Sequence, residues 1–256
     1  MKKIYLLFII AAATGQLVAA RTPAATYDLP PGALVVETRP LELGENKHRA
    51  FVLWMLKPTK NPREDSEMYT CPDETRGSYY SGPTRVSLVD TASRRVINTI
   101  KVNEADGDGD DKFDIPYRIH AGSYYHVPDT PKDKEGKPEI MRLKDYNGDG
   151  EALEFALFDA EACMPIVTTL IGYSSVQDKV IWYPIQVETE EGGKKTTEIT
   201  HWMDYLFTTE PDRPGHWKYD IDYRGRGGTL DKHEISYNAG AERFEGKIIS
   251  VGDGGL

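Results

Sequence analysis

The sequence contains little cysteine and lacks the short motifs of several common enzyme classes. Its two cysteines, Cys71 and Cys163, form no CxxC pair, which disfavours a thiol–disulfide enzyme or a cysteine-based zinc site. It has no G-x-S-x-G elbow, no H-E-x-x-H motif and no glycine-rich loop between a strand and a helix. We therefore assign no catalytic residue from the sequence and expect a binding protein rather than an enzyme.

Basic residues are the minority among the charges. The chain has 31 lysines and arginines against 41 aspartates and glutamates, a formal net charge of −10. A surface of this sign repels phosphate backbones and anionic lipids, so nucleic acids and membrane surfaces are poor partners. Cations are better suited than anions as partners of such an acidic surface.

The longest apolar run without a charge lies at the N terminus. Lys2 and Lys3 precede an apolar stretch at 4–13, and the small residues of 18–20 offer a cleavage site. The apolar stretch is shorter than the roughly 20 residues that a membrane-spanning helix needs. We expect residues 1–20 to be a signal peptide, so that the protein is secreted or periplasmic without membrane insertion after cleavage. A retained N-terminal anchor is the alternative.

In an oxidising compartment, the two cysteines can form a disulfide bond. A bridge between Cys71 and Cys163 would close a loop of roughly 90 residues and stabilise the fold by about 4 kcal/mol in the chain-entropy model. Two buried free thiols are the alternative.

The chain also lacks a sustained helical stripe of apolar residues, and period-two alternation takes its place. In HWKYDIDY (216–223), Trp217, Tyr219 and Ile221 alternate with polar residues, as in a strand with one face towards water. Similar strand-like patterns occur at 50–56, 84–90, 95–102, 155–160, 166–173, 179–187, 197–207, 230–237 and 243–251.

Short links between these segments predict hairpins. DTASRR turns 84–90 back into 95–102, and RGRGG turns 216–223 back towards 230–237. We predict an all-β fold of antiparallel sheets joined by hairpins, arranged as propeller-like blades or as a β-sandwich. Residues 21–256 are predicted to form a single domain. Its two long loops are expected at 57–83 and 103–138.

An acidic, glycine-bearing loop, DYNGDGEALEF (145–155), is the strongest candidate site. Asp145, Asn147 and Asp149 occupy positions one, three and five and are followed by Gly150. Calcium prefers six to eight oxygen ligands, and glycine permits the positive φ that closes such a turn. Position twelve, where an EF-hand has glutamate, is alanine, so the nearest acid that could complete the shell is Glu154.

A second loop, DGDGDDKFDIP (106–116), repeats this spacing, and its acids are Asp106, Asp108, Asp110 and Asp114. The two loops resemble the calcium loops of FG-GAP/VCBS repeats, found in integrin-like β-propellers and many exported proteins. The resemblance covers about 25 residues. It implies acidic ligands at positions one, three, five and nine, with a carbonyl at seven from Lys112 or, in the first loop, Glu151. The second loop departs from the pattern at Asp111, where the family has glycine; the first departs at Leu153, with its acid one place later.

The resemblance implies calcium as a structural cofactor and a role in adhesion or binding, with an extracellular protein or a glycan as partner. Several carboxylates held within a few ångströms repel one another unless a cation relieves them, which favours the same conclusion. Plain hairpin turns without an ion are the alternative, since Asn-Gly and Asp-Gly also favour such turns. An extracytoplasmic hydrolase acting on a polymer and an envelope accessory protein without a ligand remain alternative functions.

Histidines and aromatic residues give two weaker candidates. If neighbouring strands gathered them, three histidines and three aspartates could form a metal or acid–base site: His201, His216, His233, Asp204, Asp220 and Asp222. The alternation in 216–223 instead predicts a solvated face for His216. The tryptophans could stack on sugars, although packing in a core is the ordinary role of aromatic residues in strands.

Overall fold

The computed structural model describes residues 27–44, 47–61, 79–102, 140–160 and 166–252. Within these ranges the regular structure is strand, with two short 3-10 turns at Leu206–Thr208 and Arg224–Arg226 and no α-helix, which confirms the all-β prediction. No helix in this part of the chain is long and apolar enough to span a membrane. The strands are β1 (Ala33–Glu42), β2 (His48–Leu56), β3 (Thr59–Asn61), β4 (Tyr79–Ser81), β5 (Thr84–Asp90), β6 (Arg95–Lys101), β7 (Glu154–Ala160), β8 (Ile166–Ser174), β9 (Lys179–Trp182), β10 (Ile185–Glu191), β11 (Lys194–Thr200), β12 (Met203–Asp204), β13 (His216–Asp222), β14 (Leu230–Asn238) and β15 (Arg243–Val251).

Three main sheets organise these strands. The first has the order β1-β2-β5-β6, the second β12-β8-β7 with β9 also paired to β8, and the third β11-β10-β15-β14-β13. The predicted hairpins β5–β6 and β13–β14 are antiparallel, as expected. β10 and β15 pair in parallel, and the intervening strands provide the long connection that such a pair requires.

The second sheet lies between two hydrophobic cores. On β7, Phe155 and Leu157 pack with Phe51 and Leu88 of the first sheet. Ala156 points the other way, into a cluster that includes Trp217 of the third sheet. A sheet covered on both faces requires near-continuous apolar strands, which explains the composition of β7 and β8.

A side chain also joins the first two sheets at their edges. Asn98 on β6 donates from Nδ2 to the carbonyl of Val180 on β9 at 2.8 Å and accepts from its amide at 2.9 Å. This pair of bonds replaces a backbone ladder between the two strands. The first and second sheets are thereby tied along one side as well as through the core.

Several predicted boundaries change. β1 was not predicted, and it contains Pro40, which has no backbone N–H to donate; an edge strand tolerates this because one of its sides has no neighbouring strand. The segment 179–187 divides at Pro184, and 197–207 divides into β11, β12 and a 3-10 turn. The expected loop 57–83 carries β3 and β4.

Some predictions fall outside the described residues. These are the signal peptide at 1–20, the cysteines Cys71 and Cys163, and the whole of the loop at 103–138. The second acidic loop also lies there, with Asp106, Asp108, Asp110, Lys112 and Asp114. The single-domain organisation of 21–256 likewise stays a prediction.

Candidate functional site

The acidic loop at 145–154 is a closed turn that leads into the second sheet. Lys144 and Glu154 form an isolated antiparallel bridge, with N–O distances of 2.8 and 3.2 Å between their backbones. Leu153 at the end of the loop packs in the first core, and Tyr146 near its start packs in the second. The loop is therefore anchored near its start in the second core and near its end in the first.

Asp145 organises the backbone of the turn. Its Oδ1 accepts from the amides of Gly148 at 2.7 Å and Asp149 at 3.1 Å, and its Oδ2 accepts from the amide of Gly150 at 2.9 Å. The two glycines have φ values of 79° and 94°, as the sequence predicted for a turn of this kind. The position-one carboxylate thus gathers three amides on the inside of the turn.

Glu154 closes the turn from the strand side and is fully buried. Its Oε2 accepts from the amide of Tyr146 at 3.0 Å, and its Oε1 accepts from Asn147 Nδ2 at 3.1 Å. The same Nδ2 donates to Asp149 Oδ2 at 2.9 Å. One amide group therefore joins two of the predicted carboxylate ligands.

Burial determines the protonation of Glu154. Loss of water raises its pKa to about 8, and the carboxylates of Asp149 and Asp145 add to the rise, while the amides of Tyr146 and Asn147 oppose it. Without a cation, this carboxyl group therefore takes up a proton at a higher pH than an ordinary glutamate does. A divalent ion at the loop would favour the charged form.

Close backbone contacts hold the loop against the turn before β13. A Cβ on Gly148 would lie 2.6 Å from the carbonyl carbon of Pro214, and a Cβ on Gly215 would clash with the carbonyl oxygen of Asn147. Gly172 on β8 makes room for Glu154, since a Cβ there would lie 2.7 Å from the Glu154 Cγ. Sequence reasoning missed Gly172 and Gly215; for Gly172, an isolated glycine within the apolar run of β8 was the available signal.

The structure brings together four of the five residues predicted for this loop: Asp145, Asn147, Asp149 and Glu154. Glu151 is exposed, its amide donates to Asp149 Oδ1 at 2.8 Å, and its carbonyl accepts from the amide of Leu153. Within the described ranges, no three His, Cys, Asp or Glu side chains form a ready-made metal site. The carboxylates of Asp145 and Asp149 hold backbone amides instead, although each carboxylate oxygen can accept more than one bond.

The histidine and aspartate residues predicted as a second candidate site do not come together in the described part of the chain. His216 pairs with Ser236 and His233 pairs with Tyr219, which places the two histidines on opposite faces of the third sheet. The predicted solvation of His216 is wrong: it is buried, with Nδ1 bonded to Asp212, because the turn before β13 folds back beside it.

Tryptophans serve as core residues. Trp217 is 1% exposed and lies edge-on to Phe207 with ring centroids 5.5 Å apart. Trp54 is 4% exposed and donates from Nε1 to Ser87 Oγ at 2.8 Å. These two rings present no open face on which a sugar could stack.

A cleft of about 170 Å³ adjoins the acidic loop. Three buried aromatic residues of the second core, Tyr146, Phe207 and Trp217, are among its lining residues. Arg142, Lys144 and Asp145, on the segment that enters the loop, also line the cleft. The segment after Leu206 lines the cleft as well and contributes a second acid, Glu210.

Comparison of the chain with models of protein families, with curated proteins and with solved structures finds no match.

Proposed function

We propose that this protein is an exported calcium-binding β protein, in which the loop at 145–154 holds Ca²⁺ as a structural ion and the molecule serves in binding or adhesion. The observation that carries the proposal is the Asn147 amide, which bonds both to Asp149 and to the buried Glu154. Carboxylate oxygens of two predicted ligands, Asp149 and Glu154, thus converge on one small region of the loop beside Asn147.

The donor set suits calcium. Asp145, Asp149 and Glu154 offer carboxylate oxygens, Asn147 offers an amide oxygen, and Glu151 offers its carbonyl. Hard oxygen donors of this kind are preferred by Ca²⁺, and water can complete a shell of six to eight. No soft sulfur or imidazole ligand lies among these five residues, so a transition metal is a poorer fit.

The electrostatic balance also supports an ion. Glu154 is fully buried beside the carboxylates of Asp145 and Asp149, whose charges oppose its ionisation. A divalent cation would replace this repulsion by attraction. It would also strengthen the attachment of Tyr146 and Leu153 to the two cores, since both residues belong to the loop.

The binding or adhesion role follows from the resemblance of the two acidic loops to FG-GAP/VCBS repeats, and an extracellular protein or a glycan is the expected partner. In this proposal calcium stabilises the conformation of the loops and takes no part in a reaction. The acidic balance of the chain is compatible with function in calcium-rich surroundings.

Thermal unfolding with calcium and with EDTA tests the structural role. The mature protein should melt several degrees higher in 2 mM Ca²⁺ (about the scale of an ion in large excess over its Kd), and Asp145→Asn/Asp149→Asn should lose most of the increase. Asp220→Asn, an exposed acid on the outer face of β13, is the matched control and should keep the increase. Equal melting temperatures in calcium and EDTA for the unaltered protein would refute a structural ion.

A further inference from the structure

The third sheet ends in an exposed edge strand. β11 pairs with β10 on one side, and no strand of the described part of the chain pairs with its other side. Its residues from Lys194 to Ile199 are all exposed, so both faces of the strand are open to solvent. An edge of this kind presents unpaired amides and carbonyls to which another strand can bond.

The turn before β11 determines which backbone groups face outward. Gly192 and Gly193 have φ values of 56° and 79°, as in a two-residue hairpin turn that needs positive φ at both positions. The residues that flank such a turn, Glu191 and Lys194, bond to each other, and successive residues of a strand direct their backbone groups to opposite sides. The residues whose amide and carbonyl point away from the sheet are therefore Lys195, Thr197 and Ile199.

The usual protections of an exposed edge are weak in β11. Its ladder with β10 has no bulge, and the strand contains no proline. An outward lysine can also protect an edge, but the Nζ of Lys195 lies 3.0 Å from Glu188 Oε1 and 3.7 Å from Glu190 Oε2. The charge of Lys195 is therefore balanced within its own sheet.

Two charges on the other face of β11 are not balanced in this way. Lys194 and Glu198 form no ion pair with a residue of the described ranges. Thr196 lies midway between them on the same face. A second β11 placed antiparallel about Thr196 brings Lys194 of each copy opposite Glu198 of the other. These are positions without direct backbone bonds, where opposed side chains approach most closely.

The neighbouring symmetric registers are less favourable. A pair centred on Lys195 places two lysines directly opposite each other, which is destabilising. A pair centred on Thr197 places Lys195 opposite Ile199 and joins no opposite charges. The register centred on Thr196 satisfies the charges and also pairs the outward backbone groups of Lys195 with those of Thr197. Charge and backbone geometry therefore select the same arrangement.

We propose that the protein forms a symmetric dimer in which β11 of one copy pairs antiparallel with β11 of a second copy, with Thr196 at the twofold axis. The two third sheets then become one continuous sheet, to which each copy contributes five strands. A single pair of short strands is expected to bury less than the roughly 1,200 Å² of a standard interface, so the dimer dissociates on dilution. The dimer does not depend on calcium, because the acidic loop at 145–154 is not part of this edge.

Sedimentation equilibrium of the mature protein in EDTA, at concentrations up to about 1 mM, tests the proposal. The unaltered protein should show a monomer–dimer equilibrium. Lys194→Glu and Glu198→Lys should each weaken it about tenfold or more, because two attractive pairs become two repulsive ones. These variants change the net charge in opposite directions, so a common effect cannot come from net charge. Lys218→Glu, at an exposed position on the opposite edge strand β13, should leave dimerisation unchanged.

A mixture of Lys194→Glu with Glu198→Lys tests the register. The first variant has acids at both positions and the second has lysines at both, so a heterodimer restores two pairs of opposite charge. The mixture should therefore associate about as tightly as the unaltered protein, which also shows that both variants are folded. A monomer at every concentration, which would leave the edge to a strand of another protein, would overturn the proposal. So would single variants that dimerise normally, a mixture without heterodimers, or chains of copies that grow with concentration through β11 and β13.

Discussion

At the scale of single residues, positive φ and close packing decide which positions of the acidic loop can change. Gly148 combines both constraints, since it has a φ of 79° and faces the backbone of Pro214. Gly150 has only the first, because a Cβ there would meet open space. Substitution of each glycine therefore separates the free-energy cost of a backbone clash from the cost of a side chain at positive φ.

Gly148→Ala should lower the free energy of unfolding by about 2–4 kcal/mol, because a strained φ of about 1 kcal/mol adds to a clash with backbone that cannot move aside. Gly150→Ala should cost only about 1 kcal/mol. Urea unfolding of both variants in EDTA measures the difference. Equal losses would show that the turn before β13 is not packed against the loop.

His233 makes stability depend on pH. It is 6% exposed and stacks on Tyr219 at 4.5 Å, and neither ring nitrogen has a hydrogen-bond partner in the described part of the chain. Burial lowers its pKa below the usual 6.5, although Asp231 and Asp220 oppose the shift. The unfolded chain therefore binds a proton at a higher pH than the folded chain does, and stability is lost as the pH falls below about 6.5.

His233→Phe keeps an aromatic ring over Tyr219 and removes the titrating group. We expect its free energy of unfolding to fall less than that of the unaltered protein between pH 7.5 and 5. Chemical unfolding in EDTA at these two pH values gives the comparison. Parallel losses in the two proteins would assign the pH dependence to other groups.

At the scale of elements, local patterns predicted most strands but not the pairing between distant ones. Alternation in 216–223 and the apolar run of β8 identify strands without further information. The parallel pairing of β10 with β15 depends on residues almost 60 positions apart, and no local signal fixes such a register. β1 was missed because Pro40 is normally evidence against a strand.

The candidate site likewise has one part that the local sequence reveals and another part that only the fold brings together. The spacing of Asp145, Asn147 and Asp149 is local, so the sequence revealed it. Glu154 turns inward because Leu153 and Phe155 on either side of it enter the first core, as alternation along a strand requires. Gly172 and Gly215 belong to other elements and touch the loop only after folding, so the sequence could not link them to it.

Asn98 supplies a prediction about the contact between β6 and β9. Asn98→Ala removes both bonds to Val180 and leaves an amide and a carbonyl without these partners, which should cost about 1–3 kcal/mol in urea unfolding. Thr197→Ala on the exposed strand β11 is a control for strand propensity and should cost well under 1 kcal/mol. Equal effects would mean that this side-chain link contributes nothing to holding the two sheets together.

At the scale of the whole molecule, the acidic loop connects parts that are distant in the chain. Tyr146 packs among residues of the third sheet, and Leu153 packs among residues of the first. An ion bound between them would therefore stabilise both cores through one short segment. Calcium should slow amide hydrogen exchange in β7 and β13 as well as in the loop itself.

Calcium titration by isothermal calorimetry is the most direct test of this account. The mature protein should release or absorb heat with saturable binding, and Asp145→Asn/Asp149→Asn should lose one equivalent of bound ion while Asp220→Asn keeps it. Any ion bound at the second acidic loop would remain in the double variant and would be removed separately by Asp106→Asn/Asp108→Asn. A flat titration of the unaltered protein, or an unchanged stoichiometry in Asp145→Asn/Asp149→Asn, would contradict calcium binding by the loop at 145–154.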